Sequence, residues 1–169
     1  MPQTKPSVAS RALVAADASA YNDFFRAGAL AHPDTLRISP ADIAAAPFKT
    51  DHGTEGTTVV AQSENGDWLG VVTLEREQGR EKRRHIAWVL RMYVAASSAG
   101  NGVGRALLRA AIARARELPG VTKVNLTVAA ENPRAVGLYE SEGFRTFARE
   151  EDAFRDPTPR TELTMTLTL

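Results

Sequence analysis

The chain has 169 residues, 43% hydrophobic and 24% charged, with a net charge of +1 and no cysteine. That length and composition suit one soluble domain, and the missing cysteine excludes a disulfide scaffold, a thiol nucleophile and thiolate metal sites. The opening MPQTKPSVAS carries no apolar run and no later stretch approaches the roughly 20 residues of a membrane span, so the sequence reads as a cytoplasmic protein with a flexible lead over residues 1–9.

SRALVA (10–15) predicts a short strand, and DASAYNDFFRAGALAH (17–32) a helix with Asp17 as N-cap, stopped by His32 and Pro33. SPADIAAA (39–46) predicts a second helix, with Ser39 as cap, Pro40 at the first position and Asp42 at the positive end of the dipole. The period then changes. TTVVAQ and WLGVVTLE flank SENGD, whose Asn65-Gly66 pair is a strong hairpin signal, and HIAWVLRMYV (85–94) follows as a third strand. Alternation along it places Arg91 with His85, Ala87 and Val89, opposite Trp88, Leu90 and Met92. VGRALLRAAIARAREL (103–118) is a helix with Val103, Leu107, Leu108, Ala111, Ile112, Ala115 and Leu118 on one face, stopped by Pro119 and Gly120. VTKVNLTVA (121–129) is a strand, NPRAVGLYESEG (132–143) a helix capped by Asn132, and TELTMTLTL (161–169) a half-buried strand whose exposed edge suits a homodimer. The order predicts a mixed α/β layout around one largely antiparallel sheet.

Gly100, Gly102 and Gly104 lie between a strand and a helix, where free amides attract anions. Residues 82–116 add Lys82, Arg83, Arg84, Arg91, Arg105, Arg109, Arg114 and Arg116 without one Asp or Glu. A basic segment in an otherwise acidic chain points to a compact anionic ligand rather than to nucleic acid. Arg105 in the first helical turn opposes the dipole and repels Arg109, a cost that a bound phosphate offsets. A glycine turn serving only tight packing is the plainer alternative. The lysine of a P-loop is missing, and the spacing GxGxG differs from the dinucleotide-binding GxGxxG. His32, His52 and His85 show no ligand spacing, so no metal is expected.

MYVAASSAGNGVGRALL (92–108) resembles the phosphate motif of the GNAT superfamily of acyl-CoA-dependent N-acetyltransferases, and ENPRAVGLYESEGF (131–144) is similar to that family's second segment. One helix and one strand separate them, as in the family, and DASAYNDFF and ALAHPDTL resemble the first helices of a bacterial subgroup. The resemblance implies a GNAT fold of the α/β (α+β) type: a single mixed, mostly antiparallel sheet of six to seven strands flanked by helices, as one domain over residues 1–169. It also implies transfer of an acetyl group from acetyl-CoA to a primary amine of a small molecule or peptide. Met92, Tyr93 and Val94 would offer backbone groups to the pantetheine arm, and a strand amide near Met92 would polarise the carbonyl. Gly100, Asn101, Gly102, Val103 and Gly104 would hold the pyrophosphate with amides, with Arg105 as a further phosphate contact. Asn132 would touch the cofactor, and Tyr139 would protonate the leaving thiolate. Without cysteine, attack is expected to be direct, in a ternary complex.

Five positions depart from the family pattern. Ala99 replaces the usual Arg or Gln of the phosphate motif, and Trp88 and Leu90 stand where many members place a glutamate base. Phe25 and Arg37 replace Arg and Gly of the subgroup. His85, Glu75 and Glu77 are the remaining candidates for a base, acting directly or through water. Two other readings stay open: an acyl-CoA-binding regulatory module with weak catalysis, and a dinucleotide-binding domain.

Overall fold

Seven strands form one sheet in the computed structural model, which describes residues 8–169. In chain order they are β1 (Ala9–Ala12), β2 (Gly56–Gln62), β3 (Trp68–Arg76), β4 (Ile86–Val94), β5 (Lys123–Ala129), β6 (Arg145–Asp156) and β7 (Thr158–Thr168). Four α-helices intervene: α1 (Ala18–Ala31), α2 (Pro40–Ala45), α3 (Val103–Glu117) and α4 (Pro133–Ser141). The spatial order is β1-β2-β3-β4-β5-β7-β6, and every neighbouring pair is antiparallel except β4 with β5. A sheet with one parallel pair is not the doubly wound parallel sheet of a dinucleotide-binding domain, so that alternative falls. No helix among the described residues is long and apolar enough to cross a membrane.

Period-2 alternation gives the sheet two buried faces. Val59, Ala61, Val72, Leu74, Ala87 and Val89 face α3, which buries Val103, Leu107, Leu108, Ala111, Ile112 and Ala115 against them. Val60 and Val71 face the other way, under Tyr21 and Phe25 of α1 and Ile43 of α2. Each fully buried leucine or phenylalanine contributes roughly 1.5–3 kcal/mol, so the inner stripe of α3 fixes that arginine-rich helix to the sheet.

Helix ends follow their local sequence in most places. Ser39 and Asp42 form a capping box at α2, with the Asp42 N–H donating to Ser39 Oγ at 3.2 Å and the Ser39 N–H to Asp42 Oδ2 at 2.8 Å. Asp17 behaves differently from expectation. Its carboxylate accepts the Val14 N–H at 2.8 Å and pairs with Arg11, so it closes a 3-10 turn over Ala15–Asp17 and makes no side-chain cap on α1. Ala9, which the sequence assigns to a flexible lead, already pairs with Gln62; residues 1–7 lie outside the described part.

The largest departure from simple alternation is in β4. Thr73 of β3 lies opposite Leu90, but Val71, two residues earlier, lies opposite Tyr93, three residues later. One extra residue is therefore inserted, and Arg91 takes it with a left-handed backbone (φ 48°), which costs an L-residue roughly 1–2 kcal/mol. Beyond the bulge the faces exchange. Met92 and Val94 pack on the α3 side with Ala87 and Val89, while Tyr93 packs on the α1 side. Arg91 thus lies across the sheet from Ala87 and Val89, contrary to the periodic expectation, because the bulge breaks the period.

Two features of the sheet position the site. β4 and β5 pair only over Ile86–Lys123, Ala87–Val124 and Trp88–Asn125, so past Trp88 the strands part and the β5-facing backbone of β4 has no strand partner. The C-terminal strand β7 lies between β5 and β6. Residues 161–169 are therefore interior to the sheet, and the free edge on this side belongs to β6. The reason is the hairpin turn at Asp156–Thr158, which returns the chain between β6 and β5.

Candidate active site

A cavity of about 820 Å³ opens where β4 leaves β5, bounded by the start of α3 and one face of α4. The helices reach it for local reasons. Gly102 begins α3 with φ 82°, a left-handed conformation suited to glycine, and no side chain caps the helix, so its first-turn amides lack intrahelical partners. At α4, Asn132 Oδ1 accepts the Ala135 N–H at 3.1 Å, and Pro133 takes the first helical position. Asn132, Ala135, Leu138 and Tyr139 then recur at helical spacing along the wall that α4 gives to the cavity.

Met92, Val94, Gly100, Gly102, Val103 and Gly104 all line this cavity, as do Arg105, Asn132 and Tyr139. Two of the expected residues do not. The Asn101 side chain is exposed, and its N–H is directed to the Ser98 carbonyl at 3.4 Å. The Tyr93 ring packs instead between Phe24, Phe25 and His32, at centroid distances of 5.2, 6.1 and 6.1 Å. A Cβ on Gly28 would stand 2.8 Å from that ring, so α1 approaches β4 this closely only with glycine there.

Tyr139 is 7% exposed, with its ring edge-on to Phe144 at 6.0 Å. Burial pushes its phenol up to about 12, which keeps it protonated at neutral pH. Its hydroxyl donates to Met92 Sδ at 3.6 Å. A Cβ on Gly104 would meet Leu138 at 3.4 Å and Met92 at 3.5 Å, ordinary contact distances, so packing alone does not demand glycine at this point.

The charges at the mouth differ from the sequence expectation. Glu142 accepts from Arg109 at 2.8 Å and also pairs with Arg105, which in addition donates to Ser141 Oγ at 3.0 Å. The hydrogen bond from Arg109, with that from Arg105, holds the Glu142 carboxyl below its usual range. A carboxylate of the chain itself therefore offsets the two arginines, and no ligand is needed for that purpose. Arg134 on α4 also lines the cavity, near Gly100, and has no ion pair or hydrogen bond among the described residues. Its signal in the sequence is the one Arg105 carries, a cation in the first turn of a helix.

None of the three candidate bases reaches the cavity wall. Glu75 lies on the α1 side of the sheet with His52 and Arg91, and Glu77 binds Arg83 and accepts the Trp88 indole N–H at 2.7 Å. His85 lines a separate shallow hollow with Glu55 and Arg76. The cavity lining holds no carboxylate, and its one imidazole is His32, at the C-terminal end of α1. Among the described residues no group of three or more acidic or histidine side chains is gathered for a metal.

A mixed sheet that opens at its single parallel pair, with a glycine-led helix and a buried neutral tyrosine at the opening, defines an acyltransferase architecture. The sequence matches the Acetyltransferase (GNAT) family over residues 20–144, and the chain belongs to that family. It is an acetyltransferase by family. A GCN5-related N-acetyltransferase from Kribbella flavida is 28% identical with a TM-score of 0.81, covering 96% of this chain and 98% of that one. A GNAT-family acetyltransferase from Streptococcus pneumoniae matches with a TM-score of 0.82 at 22% identity, covering 96% and 100% of the two chains. A phosphinothricin acetyltransferase from Sinorhizobium meliloti, solved with acetyl-CoA, matches with a TM-score of 0.80 at 22% identity, covering 96% and 88%. The last two are likenesses of fold.

Proposed function

We propose that the protein transfers an acetyl group from acetyl-CoA to the primary amine of a small molecule or peptide, by direct attack in a ternary complex. The observation that carries this reading is the protonated Tyr139 hydroxyl beside Met92, where the unpaired edge of β4 meets the cavity. The donor fits the residues present. The open edge of β4 from Met92 to Val94 suits the amides and carbonyl of a pantetheine arm, and the first-turn amides of α3, with Gly100, suit the pyrophosphate. Arg134, without a protein partner among the described residues, suits a further phosphate, while Arg105 is already engaged by Glu142. Asn132 fits a dual role as helix cap and cavity wall.

The chemistry follows from these positions. A neutral amine attacks the thioester carbonyl, the new C–N bond forms, and negative charge gathers on the carbonyl oxygen. An amide of β4 near Met92 stabilises that oxygen. As the C–S bond breaks, the thiolate takes its proton from Tyr139, help typically worth about 10²–10⁴-fold. The proton released by the amine passes to His32, the one imidazole on the wall, or onward to water, and Tyr139 regains a proton from solvent, which closes the balance. Among the described residues, neither serine on the cavity wall, Ser98 or Ser141, is hydrogen-bonded to a histidine or carboxylate, which favours direct attack over an acyl-enzyme.

One sheet running from Ala9 to Thr168 supports reading the chain as a single domain. We place it in the cytoplasm, and the free edge of β6 is the surface suited to a homodimer.

Calorimetric titration with acetyl-CoA and dephospho-CoA, followed by a free-thiol assay over a panel of amines, tests the proposal. Saturable binding, weaker for dephospho-CoA, with thiol release that depends on one amine class is the expected result. Binding without thiol release for any amine would favour the regulatory reading, and absence of binding would overturn the donor assignment.

A further inference from the structure

Arg91 keeps a left-handed backbone at the β4 bulge although it is not glycine, so something must hold it there. Its side chain closes a ring of polar groups beneath α1. Arg91 Nε donates to Tyr21 Oη at 3.1 Å, and Tyr21 Oη lies 3.1 Å from Thr73 Oγ1. Thr73 Oγ1 lies 2.8 Å from Thr58 Oγ1, which in turn lies 2.8 Å from His52 Nε2. His52 Nδ1 is 2.6 Å from Glu75 Oε1, and Glu75 Oε2 returns to Arg91 Nη2 at 3.6 Å. The guanidinium also stacks over Phe48, 4.9 Å from the ring centroid.

Tyr21, Thr58 and Thr73 are buried, and the His52 side chain is 4% exposed. Buried polar groups of this kind are a poor source of stability compared with the valines beside them, but they select one arrangement over its neighbours. The arrangement selected here is a strand register. Thr73 lies opposite Leu90, the residue before the inserted Arg91, so the ring grips β3 and β4 at the step where their register shifts.

We propose that this ring holds the β4 bulge in its shifted register, which makes Tyr21, Glu75 and Arg91 positioning residues for acetyl transfer. They act through the backbone of β4, which turns Met92 towards Tyr139 and aims the amide assigned above to the thioester carbonyl. The inference rests on that assignment.

Arg91→Ala and Arg91→Gly both remove the guanidinium, but glycine takes φ 48° without strain. The expected result is a fall in kcat of about tenfold for alanine and less than about threefold for glycine, with acetyl-CoA affinity within about twofold for both. Tyr21→Phe, which deletes one hydroxyl from the ring, lowers kcat by a similar factor with the amine KM unchanged. Equal losses in alanine and glycine, carried by the amine KM, would overturn the proposal and make Arg91 an acceptor contact.

Amide hydrogen exchange at Leu90 to Tyr93 in the free protein reads the bulge independently of chemistry, and it quickens in Tyr21→Phe and Arg91→Ala if the ring holds the bulge. Unchanged exchange in both variants would reject the ring's role. Faster exchange with full kcat would support that role while rejecting the β4 amide as the carbonyl's partner.

Discussion

The Tyr139 hydroxyl donates to the sulfur of Met92 across 3.6 Å, joining α4 to the open end of β4. A thioether is a weak acceptor, so the protein spends little of the hydroxyl's donor strength on itself. A leaving thiolate is a much better acceptor for the same proton.

Tyr139→Phe separates chemistry from binding. We expect kcat to fall about 10²–10⁴-fold with acetyl-CoA affinity within about twofold. Thermal stability changes little, because the hydroxyl loses only a weak partner. Steady-state kinetics with calorimetry of the variant decides this, and an unchanged kcat would remove the acid role.

The same burial makes a pH prediction. The folded-state phenol sits near 12, against about 10 in the unfolded chain. Between those values the unfolded state loses its proton and the folded state keeps it, so unfolding is favoured as pH rises through this window. Full stability below pH 10 is expected, with a loss on the order of 2–3 kcal/mol approaching pH 12 that is absent in Tyr139→Phe. Denaturant melts of the two proteins from pH 8 to 12 compare them directly.

Arginines at the cavity mouth should differ in their effect on the donor. Among the described residues Arg134 has no protein partner to give up, whereas Arg105 is already paired with Glu142. We expect Arg134→Ala to weaken acetyl-CoA binding by about tenfold, the worth of one charge-assisted contact, and Arg105→Ala by less than about threefold. Affinities measured across a salt series test the ranking, since both contributions shrink with screening.

Arg37 reaches from the segment between α1 and α2 to Glu162 on β7, donating at 3.0 and 3.1 Å to a carboxylate only 9% exposed. Because β4 and β5 part below it, this pair ties the two halves of the sheet. A double-mutant cycle with Arg37→Ala and Glu162→Gln should return a coupling of roughly 1–2 kcal/mol. A coupling near zero would mean that the half-exposed arginine contributes nothing there.

Much of the fold was legible because its signals are local. The capping box of Ser39 and Asp42, the turn at Asn65-Gly66, the stripe from Val103 to Ala115 and the Asn132 cap each depend on residues within a few positions of one another. The glycines and Tyr139 were legible through the family resemblance, and the cavity gathers them. The partner of Arg105 was not legible, because Glu142, 37 positions away, is invisible to a local reading of the helix. The direction of the Asn101 amide, towards the Ser98 carbonyl, was not legible either, being a detail of loop conformation.

By itself the sequence determined most of the helices and strands, their apolar faces as far as the bulge in β4, and which family the chain resembles, since period, caps and turns are short-range properties of neighbouring residues. Only the tertiary structure decided the rest. It put β7 inside the sheet and β6 at its edge, shifted the register of β4 at Arg91, and closed the polar ring from Tyr21 through His52 to Glu75. Each of these depends on groups brought together from distant parts of the chain. Their energies compare whole arrangements of strands, and no local window contains both sides of that comparison.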